Sequence, residues 1–365
     1  MFVLNLLGTF KSFSSSKNNM KKIVFISRKF PPSVGGMQKH NYELHKALSK
    51  YFDVGLISMG KKQYNLFWFL PYSFLKTLFN FNKSDVILGD GLLAPIGYLI
   101  KKFTGKKVYC VVHGLDVTYN GYFYQSFIPK YLSKLDKLIC VSNNTIEECV
   151  KKGIERSKCH FIPNGVNFNE INISEDESRG FIEKKFDLDL KNKKVIITVG
   201  RLRKRKGVYW FLKNVVNNIK GDFVYLIIGN GNDENRIRSV LNDKSKLLTN
   251  VNDKDKEHIY NIADVFVMPN IKVEGDVEGF GIVAIEAAIL GVPIIASNME
   301  GIKEAIFDGK NGFLVNSMDV NGFVDKIDEV FNMKSLEKFR KNQIKFTNEK
   351  FNWEKLGKEY FDLLS

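Results

Sequence analysis

Residues 274–293 read EGDVEGFGIVAIEAAILGVP and place two carboxylates, Glu278 and Glu286, eight positions apart. Between them a Gly-Phe-Gly-Ile run leads into an apolar helix. Buried carboxylates without partners are costly, so acids that flank a buried helix start need a ligand or a pairing group. A helix start also presents free N–H groups and a positive dipole end to an anion. We therefore predict that the amides at 280–282 bind a diphosphate and that the two glutamates bind sugar hydroxyls.

Upstream of this stretch, the run KVIITV at 194–199 predicts a buried strand, and GRLRKRKG at 200–207 follows it before a helix. Five cations in six positions just before a helix favour a bound diphosphate, for which we select Arg201 and Lys206. A solvated basic turn is the alternative. Gly229 follows the next predicted strand and is also assigned to ligand binding, although its loop, GNGNDE, does not match the dinucleotide fingerprint.

The first half of the chain begins with the same order of elements. A strand at 22–28 is followed by a loop containing Gly35 and Gly36 and then by a helix from about residue 37. The glycine pair lets the backbone approach a ligand closely, while an ordinary tight turn is the alternative. His113 and Asp116 follow the strand at 107–112, at the edge where open α/β sheets bind ligands.

Strands and helices alternate through both halves, which predicts an α/β chain of two doubly wound, Rossmann-like domains with parallel sheets. We expect five segments, namely a disordered extension at 1–20, a first domain at 21–173, a linker at 174–191, a second domain at 192–345, and a helix at 346–365 that packs back on the first domain. The D-x-D at 253–255 is interpreted as a helix cap and not as a metal site.

Charge is distributed unevenly along the chain. Residues 1–173 hold 24 Lys and Arg against 10 Asp and Glu, whereas residues 174–365 hold 31 against 30. The aromatic segment at 61–83 is bracketed by lysines and suits a membrane interface. An anionic membrane surface is therefore the predicted partner of the first half, and nucleic acid is not, because no nucleic-acid-binding pattern is present. A Lys-rich composition without function and helices that simply pack on the sheet remain the alternatives.

The four cysteines show no C-x-x-C pairing and no histidine at ligand spacing. Cys110 and Cys140 end apolar runs and are interpreted as small core residues. The absence of paired cysteine motifs fits a reducing, cytoplasmic compartment. Residues 1–19 make a poor signal peptide because no basic region precedes their apolar part.

Together these motifs resemble the retaining glycosyltransferases of family 4, which have the GT-B fold of two Rossmann-like domains facing each other across a cleft. The resemblance runs from about residue 21 to 365. It rests on the E-x7-E pair in EGFGIVAIEA, on GRLRKRKG at 200–207, on ADVFVMP at 263–269 and on GVPIIAS at 291–297. The early glycine loop and His113-Gly114 also fit.

The resemblance implies a role for each selected residue. Glu286 would bind the nucleotide ribose, Glu278 the donor sugar, and Arg201 with Lys206 the departing diphosphate. His113 would lie near the sugar and the attacking hydroxyl, and Asp116 on the acceptor side. The remaining donor-binding positions would be Gly35, Gly36, Gly229, Phe280, Gly281 and Ile282. No metal and no cofactor is expected beyond the nucleotide sugar, which is a co-substrate.

The expected function is transfer of a hexose, of the mannose or glucose type, from a UDP- or GDP-linked sugar to a lipid-linked or cell-surface polysaccharide acceptor. Polysaccharide or lipopolysaccharide biosynthesis at the inner face of the cell membrane would be the setting. The first domain would bind the acceptor and the second the nucleotide sugar. Two alternatives remain: a GT-B enzyme that epimerises or hydrolyses a nucleotide sugar, and a protein that binds one without catalysis.

Overall fold

The computed structural model describes residues 3–5, 8–14, 20–33, 35–59, 66–81, 84–119, 121–168, 171–299 and 301–365. The chain forms two compact units. The first contains residues 1–165, 275–280 and 353–365, and the second contains residues 166–274 and 281–352.

The first unit is built on an eight-stranded sheet whose order is β1-β2-β4-β3-β5-β6-β7-β8. The last six of these strands in sheet order, from β4 to β8, run parallel, and their central members are fully buried because helices cover both faces. The strands are β1 (Val3–Asn5), β2 (Gly8–Lys11), β3 (Lys22–Ser27), β4 (Asp53–Met59), β5 (Asp85–Leu88), β6 (Val108–Val112), β7 (Lys137–Cys140) and β8 (Cys159–Phe161).

Helices connect these strands in the manner that a parallel sheet requires. The helix after β7 begins after Ser142, whose hydroxyl accepts the Thr145 N–H at 3.0 Å and so satisfies one free amide of the first turn. The helices are α1 (Gly36–Leu48), α2 (Leu66–Asn80), α3 (Ala94–Thr104), α4 (Leu115–Thr118), α5 (Tyr122–Leu132) and α6 (Asn143–Lys151). Residues 61–65 and 82–83 of the aromatic segment lie outside the described residues.

The predicted disordered extension at 1–20 differs from the structure. Within it β1 and β2 pair antiparallel, and β2 pairs antiparallel with the edge of β4. Phe10 and Phe13 lie against the ring of Phe81, at centroid distances of 5.6 and 4.9 Å. Strands of three and four residues are too short for their alternation to be recognised in the sequence.

The second unit contains a six-stranded, wholly parallel sheet of order β11-β10-β9-β12-β13-β14. Valine and isoleucine dominate its strands, as expected for a sheet buried on both faces. The strands are β9 (Lys194–Val199), β10 (Phe223–Ile228), β11 (Ser245–Leu248), β12 (Val265–Met268), β13 (Ile294–Ser297) and β14 (Phe313–Val315).

One helix of the second unit lies within the predicted linker at 174–191, where the sequence also predicts a short helix at 179–186. Residues 175–186 form α7, which packs on α10 through the stacked rings of Phe181 and His258, 4.1 Å apart. Most of the predicted linker at 174–191 is thus a structured part of this unit. The helices are α7 (Glu175–Phe186), α8 (Val208–Asn214), α9 (Glu234–Arg238), α10 (Asp253–Asn261), α11 (Ile282–Ile289), α12 (Ile302–Ala305), α13 (Val320–Phe331) and α14 (Leu336–Phe351).

The last helix, α15 (Trp353–Leu364), belongs to the first unit, although it follows the second in sequence. It packs on α1, where Gly357 approaches Ala47, and the ring of Phe361 lies 5.4 Å from that of Phe52. The Lys137 side chain also donates to the Leu363 carbonyl at 2.7 Å. The fold class predicted from the sequence, two parallel Rossmann-like α/β domains, is confirmed.

Candidate active site

In the first unit, the carboxyl ends of β3, β5, β6 and β7 meet at one edge of the sheet. The loop after β3 ends at Gly35, with φ of 152°, and α1 begins at Gly36. The backbone conformation of Gly35 is one that residues with a side chain rarely adopt, so the turn favours glycine there. Asn41, buried in α1, holds this loop by donating to the Ser27 hydroxyl and the Lys29 carbonyl, both at 3.0 Å.

His113 lies directly after β6 and is held at two points. Its backbone N–H donates to Asp116 Oδ2 at 2.8 Å, and its Nε2 lies 3.1 Å from the Gly89 carbonyl. The Nε2–H tautomer makes the second contact a hydrogen bond and leaves Nδ1 as an acceptor. Asp116 is buried, and its carboxylate closes the turn between His113 and the start of α4.

A buried ion pair at the same edge was not found from the sequence. Arg28 Nε donates to Asp90 Oδ1 at 2.7 Å, and the Asp90 side chain is fully buried. Burial raises the pKa of Asp90; Arg28 opposes this shift and Asp116 adds to it. Arg28 is the first residue after β3 and Asp90 the second after β5, and these strands are neighbours in the sheet. The positions after paired strands were therefore the signal that could have revealed the pair.

The segment 275–280 brings Glu278 to this edge of the first unit. A Cβ on Gly279 would stand 2.6 Å from the His113 carbonyl, and one on Gly114 would stand 3.2 Å from the Gly279 Cα. The two backbones are therefore in direct contact, and Glu278 is 8% exposed beside them. The chain thus brings the backbone beside Glu278 against that of His113, 165 positions earlier in the sequence.

In the second unit, three glycines bring the backbones of neighbouring loops into contact. A Cβ on Gly229 would stand 1.8 Å from the Gly200 carbonyl oxygen, and one on Gly231 would stand 2.0 Å from that of Leu202. Gly207, in the left-handed region at φ 68°, approaches the Pro269 carbonyl equally closely. The carboxyl edge of this sheet is consequently walled by closely packed main chain.

The basic run after β9 separates into cations with different surroundings. Arg201 and Lys204 are exposed, whereas Lys206 is half-buried in a short 3-10 turn. Lys206 Cε lies 3.9 Å from the position of a Cβ on Gly200, so its side chain folds back over the carboxyl end of β9. Lys206 therefore faces the glycine-walled edge.

The E-x7-E stretch divides at the start of α11. Gly281 is in the left-handed conformation at φ 83°, no side chain caps the helix, and its first turn carries no charged residue. The backbone amides of the first turn of α11 can thus bind an anion. Phe280 is buried and belongs to the first unit with Glu278, whereas Gly281, Ile282 and Glu286 belong to the second. Half-buried Glu286 lies close enough to Tyr260 to contribute, after burial, to a raised pKa of that phenol.

The D-x-D at 253–255 is a helix cap. Asn252 accepts the Asp255 N–H at 3.0 Å, and the Asp255 carboxylate accepts the Asn252 N–H at 2.9 Å. Lys185 also pairs with Asp255. These contacts form a capping box, so the cap interpretation is confirmed, with Asn252 as the capping residue.

Comparison with known proteins defines the family. Residues 34–170 match the model described as Glycosyltransferase Family 4, and residues 181–349 match that described as Glycosyl transferases group 1. The chain belongs to the family 4 glycosyltransferases. An Escherichia coli UDP-Gal:alpha-D-GlcNAc-diphosphoundecaprenol alpha-1,3-galactosyltransferase is 28% identical to it over 269 residues, 68% of this chain and 66% of that protein, just under two thirds.

One further relative and one solved structure are similar to this glycosyltransferase. A Corynebacterium glutamicum GDP-mannose-dependent monoacylated alpha-(1-6)-phosphatidylinositol monomannoside mannosyltransferase is 28% identical over 257 residues, 66% of this chain and 64% of that protein. The crystal structure of Anabaena HepE in complex with UDP and glucose superposes with a TM-score of 0.74 at 14% identity, covering 94% of this chain and 99% of that one. This likeness concerns the fold, which is GT-B. Among the described residues, no helix of the glycosyltransferase is long and apolar enough to cross a membrane.

Proposed function

We propose that this glycosyltransferase transfers a hexose from a nucleotide-diphosphate sugar to a lipid-linked or cell-surface polysaccharide acceptor, with retention of configuration and without a metal ion. The observation that carries the proposal is the glycine-walled edge of the second unit with Lys206 folded over it. Backbone amides of the α11 start, together with Lys206 and Arg201, form an anion site of the kind that a diphosphate requires.

The proposed reaction needs no proton transfer from an enzyme carboxylate. The bond between the sugar C1 and the phosphate oxygen breaks, and its electron pair remains on the diphosphate. The acceptor oxygen bonds to C1 on the same face, and its proton passes to the departing phosphate. Lys206, Arg201 and the helix start stabilise the charge that develops on that phosphate.

The remaining site residues bind and orient in this proposal. Glu286 accepts hydrogen bonds from the ribose hydroxyls, and Glu278 accepts them from the sugar. His113, fixed by the Gly89 carbonyl and Asp116, presents its ring beside Glu278 to the sugar and acceptor. Gly35, Gly36 and Gly229 allow close approach of the backbone. Lipid-linked acceptors are supported by the names of the Escherichia coli and Corynebacterium relatives.

The direct test is a screen with radiolabelled UDP-, GDP- and ADP-hexoses and a membrane lipid extract, with and without EDTA. Label that enters the lipid phase in EDTA supports the proposal. Release of free sugar, or an altered nucleotide sugar, would instead identify a hydrolase or epimerase. Binding without turnover would identify a non-catalytic protein.

Matched variants test the donor site. Lys206→Ala should lower kcat by about 100-fold or more, because it removes a charge that stabilises the leaving group. Lys204→Ala, in the same turn but exposed, should leave kcat unchanged. Glu286→Ala should raise the donor KM by about 10-fold or more through the loss of hydrogen bonds to a charged acceptor, with an unaltered circular dichroism spectrum. Normal kinetics in Lys206→Ala or Glu286→Ala would reject the assigned site.

We further propose that the first unit docks on the anionic inner face of the cell membrane through α2, α3 and α5. These three helices contain no Asp or Glu and carry Lys76, Lys101, Lys102 and Lys130. Several large apolar side chains on them are exposed although water solvates them poorly. They are Phe67 at 80%, Trp68 at 64%, Leu75 at 50%, Phe79 at 77%, Phe103 at 65% and Phe127 at 50%.

The exposed side chains lie on adjoining helices. Phe74 of α2 and Phe103 of α3 are in edge contact at 6.0 Å, and Tyr98 of α3 lies 5.6 Å from Tyr131 of α5. Exposed apolar groups on helices that also carry lysines suit a surface of anionic headgroups above an apolar layer.

Flotation with vesicles of phosphatidylglycerol and phosphatidylcholine tests the docking surface. Binding should fall steeply with salt and should weaken by about 10-fold in Phe79→Ser. Phe168→Ser, which alters an exposed aromatic in the second unit, is the control and should bind normally. Binding that neither salt nor Phe79→Ser changes would reject this surface.

A further inference from the structure

Three of the four cysteines converge in the first unit, and none of them is among the site residues assigned above. Cys140 ends β7, Cys149 lies in the last turn of α6, and Cys159 begins β8. Their sulfur atoms all lie within 4.8 Å of one another. All three are free thiols and are buried, at 0%, 0% and 8% exposure. The sequence alone gave no sign of this cluster, because residue spacings of 9 and 10 match no metal-ligand motif.

The distances suit a single ion held by three sulfur atoms. Thiolates bind borderline and soft ions at about 2.3 Å. Three such ligands around one centre place the sulfurs about 4 Å apart, a spacing within the observed limit. Two of these thiols could serve a disulfide only after closing to about 2.05 Å, which would leave the third sulfur without a role.

The chemistry of the ligand set selects the ion. Among the described residues the group contains no histidine nitrogen and no carboxylate oxygen. Structural zinc usually requires four ligands, whereas an all-thiolate set favours soft ions such as Cu(I). Cys159 begins β8, the edge strand of the sheet, which offers a short path from solvent. Arg156 and Lys158, in the turn that leads into β8, supply positive charge close to the thiolates.

We propose that Cys140, Cys149 and Cys159 form a three-coordinate thiolate site for one Cu(I) ion. Binding forms three Cu–S bonds and releases the thiol protons to solvent, and neither the metal nor the sulfur changes oxidation state. The site is independent of sugar transfer, because none of the three residues belongs to the donor or acceptor machinery.

An anaerobic competition titration tests the site. The reduced full-length protein is titrated with Cu(I) buffered by bicinchoninate, whose coloured complex reports the copper that the protein does not bind. The wild type should withdraw one equivalent. Cys159→Ser should bind at least about 100-fold more weakly, since it removes one of three ligands. Cys110→Ser, which alters the buried cysteine outside the cluster, should match the wild type.

Folding of each variant is checked by circular dichroism, and Cys149→Ser provides a second ligand variant should Cys159→Ser fail to fold. Loss of binding in both ligand variants, with retention in Cys110→Ser, supports the proposal. The absence of copper uptake by the wild type would overturn it. So would uptake that survives in Cys159→Ser and Cys149→Ser, or uptake that disappears equally in Cys110→Ser.

Discussion

Each unit contains its own sheet of mainly parallel strands, and loops line the carboxyl edge of each sheet. The groups that line this edge differ between the two units. In the second unit, Gly229, Gly231 and Gly207 bring main chain against main chain, and charge is supplied by cations of one turn. In the first unit, titratable side chains line the edge: His40 and Asp90 are buried, and His113 and Arg28 are half-buried. A backbone-walled edge suits a ligand common to many enzymes, such as a diphosphate. An edge of packed side chains can be varied for a particular acceptor.

The largest expected effect is at the backbone-walled edge. Gly229→Ala should abolish folding or lower the free energy of unfolding by more than about 4 kcal/mol, because its Cβ would meet a carbonyl oxygen that cannot move aside. Gly221→Ala is the control: its φ is 84°, but the space is open. It should cost only about 1 to 2 kcal/mol. Urea unfolding measures both changes. A small loss of stability in Gly229→Ala would show that the backbone at this edge can move to accommodate a side chain.

Substitutions at the carboxyl edge of the first unit, which is lined by side chains, should lower the stability less. Asp90→Ala should lower the free energy of unfolding by about 3 kcal/mol, since it leaves the mostly buried Arg28 guanidinium without its partner. Glu147→Ala breaks the exposed pair with Arg156 in the same unit and should have no measurable effect. Equal effects of the two substitutions in urea unfolding would contradict the comparison.

The smallest expected effect is a pH dependence from His40. Both of its ring nitrogens are buried without a hydrogen-bond partner among the described residues. Burial, with His113 adding to it, holds the pKa of His40 well below the usual 6.5.

Below pH 6.5, His40 therefore binds a proton in the unfolded chain but not in the folded protein. The free energy of unfolding is at its full value above pH 6.5 and falls as the pH is lowered below it. At pH 5.5 the loss from His40 is about 1.4 kcal/mol. His40→Phe should lack this part of the slope in urea unfolding between pH 7.5 and 5.5. Retention of the wild-type slope would show that His40 is protonated in the fold.

Sequence periodicity predicted most of the strands and helices because the strands are short apolar runs that alternate with helical patterns. It located the positions after the strands, where the candidate ligand-binding groups lie. It could not pair side chains from different loops: the Arg28–Asp90 bond and the contact of Gly279 with His113 depend on strand order, which the sequence does not state. The three-cysteine cluster is hidden for the same reason, since its members lie on three elements. The roles of the site residues in binding and transfer stay predictions.

The placement of α15 has a consequence for biosynthesis. Helix α1 ends at Leu48, but Trp353 and Phe361, which cover it and the adjoining Phe52, are made some 300 residues later. Synthesis proceeds at about 5–20 residues per second, so roughly 15 to 60 s pass between the synthesis of α1 and that of α15, which covers its apolar face. The second unit has a continuous chain from residue 281 to 352 before that helix emerges. The first unit to be started is thus the last to be completed, and during synthesis its exposed face is a natural substrate for chaperones.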